Sequence, residues 1–200
     1  MFLHIFLAGS LQSHHVIKDA YGATWLKLFY HNSVGSIYFA NRNEALYTIG
    51  TSKYSILSTL NTSFIVNGAY EFLLEYPNVP GYNRWRQNLR PMDNPDVTGS
   101  VASGYSPIHI DWNEMYWGGL VLSSQSSTLL DGSCHTSHFW YSIGETSKTY
   151  SPGYPGPYPN IVTQCYLWVR IDGSQIRYPI ITKSKNSFIP IIVLLSQFIL

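Results

Sequence analysis

Charge is what this chain lacks most. Only 12% of its 200 residues are Asp, Glu, Lys or Arg, about half the usual share of roughly 25%. Twelve basic and eleven acidic residues leave a net charge of +1 and stand singly along the chain. No basic stripe gathers phosphates, so nucleic-acid binding loses its main electrostatic contribution. No acidic tail or charge block marks a solvated interaction arm. Two cysteines, Cys134 and Cys165, are too few for a disulfide-dense scaffold. A chain of this length needs none, since it can bury roughly 70% of the surface its unfolded form exposes. Glu and Lys, strong helix formers, are scarce, which argues against a helical protein. No apolar run reaches the roughly 20 residues that a membrane-spanning helix takes. The zinc-protease, nucleophile-elbow, phosphate-loop and dinucleotide motifs are all absent. Neither a metal nor a cofactor is expected.

What remains is aromatic and neutral-polar. Aromatics make up 16% of the chain, led by 16 Tyr and 6 Trp. Such residues, with Ile and Thr, suit pleated strands, and solubility must come from Ser, Thr, Asn, Gly and Tyr hydroxyls. The expectation is a mainly β, single compact sandwich-like domain with short helical segments and long loops. Residues 20–172 hold it. Residues 1–19 are a lead-in: Met1 to Ser13 reads as a signal peptide, with Ala8-Gly9-Ser10 at the cleavage site. A first strand, or a misplaced start site, is the alternative. Residues 173–200 form a tail whose apolar end, Phe188 to Leu200, reads as an anchor signal or a late strand.

Several strands are legible by period. Ala23 to Tyr30 and Ser36 to Ala40 flank His31-Asn32-Ser33-Val34-Gly35, a hairpin-turn composition. Ala69 to Tyr76 is a third strand, ended by Pro77. In Ser106 to Trp112, Ile108, Ile110 and Trp112 share one face and His109 and Asp111 the other. Gly119 to Ser123 and Phe139 to Ile143 are shorter strands. Val162 to Ile171 is the clearest, with Cys165, Leu167, Val169 and Ile171 on one side and Tyr166, Trp168 and Arg170 on the other. Thr51 or Ser52 caps a helix over Lys53 to Leu60, with Ile56, Leu57 and Leu60 as its apolar stripe. Asn78 to Gly104 and Ser151 to Pro159 read as loops, the second stiff enough to hold Tyr154 and Tyr158 at the surface.

Four sets of residues carry candidate chemistry. Tyr82, Asn83, Arg84, Trp85, Arg86, Gln87 and Asn88 bring an indole, guanidinium groups and amides into one predicted loop. A hydroxyl-rich ligand needs that mixture. The alternative is a core Trp85 with the arginines bracing the loop. Trp168, beside Tyr166 and Arg170, has the same two readings, since a second sheet would bury it. Asp111 and Glu114 are the nearest pair of carboxylates for glycoside hydrolysis, or else solvated acids at a strand end. Cys134 and Cys165 suit a disulfide in an oxidising compartment, with free buried thiols as the other option. Cys134-His135-Thr136-Ser137-His138 with Cys165 matches no strong zinc spacing. Asn61-Thr62-Ser63 is the single N-glycosylation sequon.

A longer pattern joins these pieces. Trp25 to Ser33, Lys53 to Leu57, Tyr70 to Pro77 and Tyr82 to Asn88 come in order. Trp117 to Leu120, Leu130 to Gly132, Trp140 to Gly144, Pro155 to Pro157 and Leu167 to Ile171 follow. Over residues 23–171 this string resembles an uncharacterised extracellular domain of protist surface-protein families. It is more loosely similar to fibrinogen-related lectin domains, without their cysteine pattern or acidic calcium loop, so no functional residue is carried over. The resemblance implies a secreted or cell-surface location and a partner that is a glycan or another surface protein. The leading expectation is a non-enzymatic, lectin-like recognition domain. An adhesive structural protein and a glycan-processing hydrolase are the alternatives.

Overall fold

The computed structural model describes residues 2–7, 10–95, 101–134, 141–147, 153–157 and 159–172. The chain is mainly β. In order it forms β1 (Phe2–Leu7), β2 (Ser10–Ala20), β3 (Ala23–Asn32), a short helix α1 (Arg42–Leu46), β4 (Thr48–Ile49), β5 (Lys53–Ser55), β6 (Tyr70–Glu75) and β7 (Tyr82–Gln87). Then come β8 (Ser106–Ile110), β9 (Trp117–Leu122), β10 (Leu130–Cys134), β11 (Tyr154–Pro155), β12 (Ile161–Val162) and β13 (Gln164–Ile171).

Nine strands among the described residues make one antiparallel sheet, ordered β1-β2-β3-β13-β6-β7-β8, with β5 also pairing β3 and β4 pairing β5. The last of the described strands therefore lies in the middle. Its expected inward side chains Cys165, Leu167, Val169 and Ile171 are all buried. They meet Leu26, Leu28, Phe29, Phe72, Leu74 and Trp85 from neighbouring strands. The β9–β10 hairpin, the β11–β12 ribbon, α1 and the 3-10 turns at Leu57–Thr59 and Thr62–Phe64 supply the opposing layer, through Leu57, Leu60, Phe64, Trp117, Leu120, Leu130, Tyr154 and Val162. This is a sandwich-like arrangement with one large sheet and a broken second layer.

The β2–β3 turn is Tyr21-Gly22, with φ of 53° and 71°. Two successive positive φ angles twist a two-residue hairpin the way its strands twist. Ile17 packs against the core and Ile17 to Ala20 pair with β3. The domain thus reaches upstream of the expected edge at residue 20. Phe2–Leu7, expected in a leader or a first strand, pairs with β2. Residues 173–200 lie outside the described residues.

Some local expectations are corrected. Ser36 to Ala40 is not a strand, because β3 continues through Asn32 and takes β5 as its neighbour, Tyr30 opposite Tyr54. That pairing also removes the expected helix over Lys53 to Leu60. Lys53–Ser55 is a strand and only Leu57–Thr59 turns, although Ile56, Leu57 and Leu60 are buried as the stripe required. The helix forms earlier, at Arg42–Leu46, where the Asn41 side chain accepts from Glu44 N. On β8 the expected face is only partly buried: Trp112 is, Ile108 is exposed. β8 is the edge strand of the sheet among the described residues.

Tyr154 does not stand at the surface. It is fully buried, its ring stacked on His31 at 4.8 Å and its hydroxyl donating to the His31 carbonyl at 3.2 Å. Burial holds the His31 imidazole down at about 4, so it is neutral in the core. Cys165 shares this pocket as a free thiol. The expected Cys134–Cys165 disulfide is not formed: Cys165 faces the core from β13, beside Tyr154 and the His31 backbone. Cys134 ends β10, opposite Trp117 in the second layer. The Cys134 side chain, like Tyr158, His135 and His138, lies outside the described residues. Burial pushes the Cys165 thiol up to about 12, beyond what its hydrogen bonds with Tyr154 and the His31 backbone offset. A thiol attacks as its thiolate, so Cys165 is expected to resist iodoacetamide in the native protein and to react once the chain is denatured. Peptide mass spectrometry before and after denaturation checks this. Rapid native alkylation, or a Cys165 disulfide peptide, would contradict it.

Candidate functional site

The two faces of the main sheet are built differently. One is sealed by the second layer. The other carries a small apolar cluster, Trp25, Leu73 and Trp168, roofed by long polar and aromatic side chains of the same face.

Alternation along the strands sets this face. On β6, Glu71, Leu73 and Glu75 point out while Tyr70, Phe72 and Leu74 point in. On β3 a bulge in the β13 pairing, between Leu167 and Trp168, puts Phe29 opposite Leu167 and Lys27 opposite Trp168. Leu28 and Phe29 both enter the core as a result, and Lys27 and Tyr30 both stay on the outer face.

Aromatic side chains run across this face in two stacked columns. Tyr30, Tyr166 and Trp168 stack in series, with centroids 4.6 and 5.8 Å apart. Tyr21, Tyr82 and His109 form the second, at 4.1 and 4.3 Å. Between the columns, Glu75 accepts from Lys18 Nζ at 2.5 Å, Trp168 Nε1 at 2.8 Å and Tyr21 Oη at 3.4 Å. Lys18 also sits 4.3 Å over the Trp168 ring, and Lys27 lies 4.7 Å over Tyr54. Among the described residues, Trp168 is therefore covered by Lys18 and Tyr166 and not by a second sheet.

Beside the columns lies a charge cluster. Glu71 is fully buried and meets three arginines. Arg84 Nε and Nη2 reach Oε1 at 2.8 and 2.5 Å. Arg86 Nε and Arg170 Nη1 reach Oε2 at 3.1 and 3.0 Å. Burial pushes the Glu71 carboxyl up, but the Arg84 and Arg170 hydrogen bonds and charges outweigh it and hold it below its ordinary value.

No known protein family, curated protein or solved structure matches this chain. Assignment of the face rests on its geometry.

The predicted Tyr82 to Asn88 loop is strand β7, and its residues divide by side. Asn83, Trp85 and Gln87 point into the core. Asn83 holds Trp112 through both its amide atoms, at 3.0 and 3.3 Å. Gln87 Oε1 accepts from Trp85 Nε1 at 2.8 Å and from Leu120 N at 3.2 Å, while Nε2 donates to Leu120 O at 3.1 Å. Asn83 thus ties β7 to the chain just after β8, and Gln87 ties the main sheet to the second layer, so three of the seven residues are structural. Tyr82, Arg84 and Arg86 belong to the outer face, and Asn88 is exposed beyond the strand end.

Of the other candidates, Asp111 borders this face through His109. Asp111 accepts from Tyr82 N at 2.8 Å and faces His109 Nε2 at 3.0 Å. The Tyr82 bond holds its carboxyl below the ordinary range. Gly81, at φ +104°, lies against it: a Cβ there would fall 2.7 Å from the carboxylate. Asp111 thus anchors the β6–β7 connection. Glu114 is exposed in the turn that follows. Among the described residues, no three His, Cys, Asp or Glu converge as metal ligands do. Asn61 is exposed and caps a 3-10 turn, accepting from Ser63 N at 2.9 Å.

The residues missed by sequence reading are Lys18, Tyr21, Glu71, Glu75 and Tyr30. A signal for two of them was present. Glu71, Leu73 and Glu75 alternate with Phe72 and Leu74 in a strongly apolar strand, and a half-buried acid on such a strand needs a cation on the next one. The β6–β7 register supplies it, placing Glu71 opposite Arg86 and Leu73 opposite Arg84.

Proposed function

We propose that this domain is a non-enzymatic recognition module, secreted or displayed at a cell surface, and that the open face of its main sheet binds carbohydrate. One observation carries the reading. Two stacked aromatic columns, flanked by Glu75, Lys18, Lys27 and the arginine cluster, lie on the face that no second layer covers among the described residues. Sugars present hydroxyls and C–H faces together. A surface that recognises them needs directional polar groups beside aromatic carbon. The low charge and the aromatic, neutral-polar composition fit a secreted or surface-displayed β domain.

The test is a glycan array probed with the full chain, followed by affinity measurements on Tyr82→Ala and Tyr166→Ala. Both side chains are half-exposed. Each variant is expected to bind its glycan about 10-fold or more weakly, roughly 1.4 kcal/mol, with a melting temperature within a few degrees of wild type. A chain that binds no glycan overturns the reading. Binding to a surface protein in its place would make this an adhesive module.

A further inference from the structure

We infer that Arg86 and Arg170 form an oxyanion subsite on this face, so that the glycans it takes are acidic, bearing a sulfate ester or a carboxylate. The inference rests on the carbohydrate reading and narrows it to a ligand class.

The argument begins with charge. Three guanidinium groups surround one carboxylate, Glu71, leaving two positive charges uncompensated among the described residues of the cluster. The three arginines are not equivalent. Arg84 is spent: Nε and Nη2 hold Glu71 and Nη1 donates to the Tyr21 carbonyl at 2.8 Å. It also lies 5.2 Å over the Trp25 ring, with its side chain 15% exposed. Arg86 and Arg170 each give Glu71 a single nitrogen, and both reach the same oxygen, Oε2. Their remaining N–H groups have no partner among the described residues. Their side chains are 35% and 26% exposed.

Glu71 thus pins two guanidinium groups at one oxygen, with free donors left on each. A planar guanidinium recognises an oxyanion by paired N–H bonds, and little entropy is lost when it is already held in place. An incoming sulfate or carboxylate would also relieve repulsion between the two cations. The nearby carboxylate, Glu75, is occupied by Lys18, Trp168 and Tyr21. The subsite adjoins the aromatic face, because Arg170 follows Trp168 on the same side of β13 and Arg86 follows Tyr82 and Arg84 along β7.

The experiment is a titration of the full chain with four probes: a sulfated disaccharide, the corresponding uronic-acid disaccharide, their neutral parent, and inorganic sulfate. At least one acidic disaccharide is expected to bind about 10-fold or more tightly than the neutral parent at low salt, with the advantage shrinking as salt rises. Which acidic form wins identifies the anion. Arg86→Gln and Arg170→Gln are each expected to bring the ratio of acidic to neutral affinity toward one. Arg86→Lys, which keeps charge without the planar fork, should lose part of it. Arg90→Gln, whose residue pairs with Asp93, should lose none. Melting temperatures show that each variant is folded.

Equal binding of acidic and neutral sugars overturns the subsite and leaves the aromatic face standing. An acidic preference untouched in both Gln variants also overturns it. Binding of inorganic sulfate alone, with no sugar bound, overturns both the ligand class and the carbohydrate reading.

Discussion

Trp85→Ala is expected to destabilise the fold by about 3–5 kcal/mol, the usual cost of emptying a large aromatic site in a core. The indole is fully buried, packs edge-on against Trp117 at 5.0 Å and lies 5.6 Å from Phe72. Its loss also leaves Gln87 Oε1 without the Trp85 donor at a place closed to water. For a chain of this length the melting temperature should fall by roughly 10 °C or more. Any loss of binding should track the loss of folded protein. Thermal melts and ligand titration on the same samples separate the two. A variant that melts near wild type yet fails to bind would return Trp85 to the ligand site.

Glu71→Gln should be nearly as costly, for an electrostatic reason. Removing the carboxylate charge leaves three guanidinium groups facing one another over the Trp25, Leu73 and Trp168 cluster. Breaking a buried ion pair from one side costs about 3–5 kcal/mol. The arginines reach solvent, so the lower end applies. The sign of the pH dependence follows from the direction of the shift. The folded Glu71 carboxyl lies below its ordinary value. Its contribution to stability is therefore complete above the unfolded value of about 4.3 and is lost as pH falls through the folded one. The stability gap between wild type and Glu71→Gln should be widest near neutrality and narrow below about pH 4. Denaturant unfolding across that range checks it. A gap that stays constant into acid would show that the cluster contributes no charge-dependent stability.

The strands that were legible in the sequence share one property: their inward residues are apolar. Cys165, Leu167, Val169 and Ile171 alternate with Tyr166, Trp168 and Arg170 and land on opposite faces as read. Strand β7 has the same period but reads as a loop, because the stretch from Asn78 to Gly104 is rich in Pro, Gly, Asn and Ser. Asn83 and Gln87 are polar in composition but buried, since the chain just after β8 and strand β9 offer them backbone partners at Trp112 and Leu120. No local pattern announces such partners. The error over Lys53 to Leu60 is similar. Its apolar positions fit a helical stripe, but strand β3 had an unpaired edge, and pairing with β5 satisfies backbone groups that a short helix would leave open.

Composition and period by themselves determined the mainly β class, the absence of a phosphate-binding charge pattern, and the inward face of β13. These are properties of neighbouring residues, and side-chain alternation along a strand is local. Which strands lie side by side is not. Arg84, Arg86 and Arg170 stand in two distant stretches of a nearly neutral chain, and no window of sequence shows them as a cluster. The tertiary structure gathers them because β13 inserts between β3 and β6, and β7 pairs with β6, so that Glu71 has arginines on both sides. The aromatic columns arise in the same way, from Tyr30, Tyr166, Tyr21 and Tyr82 on different strands. Pairing order rests on loop closure and on how the whole core packs, and those energies are defined only when the full chain is folded.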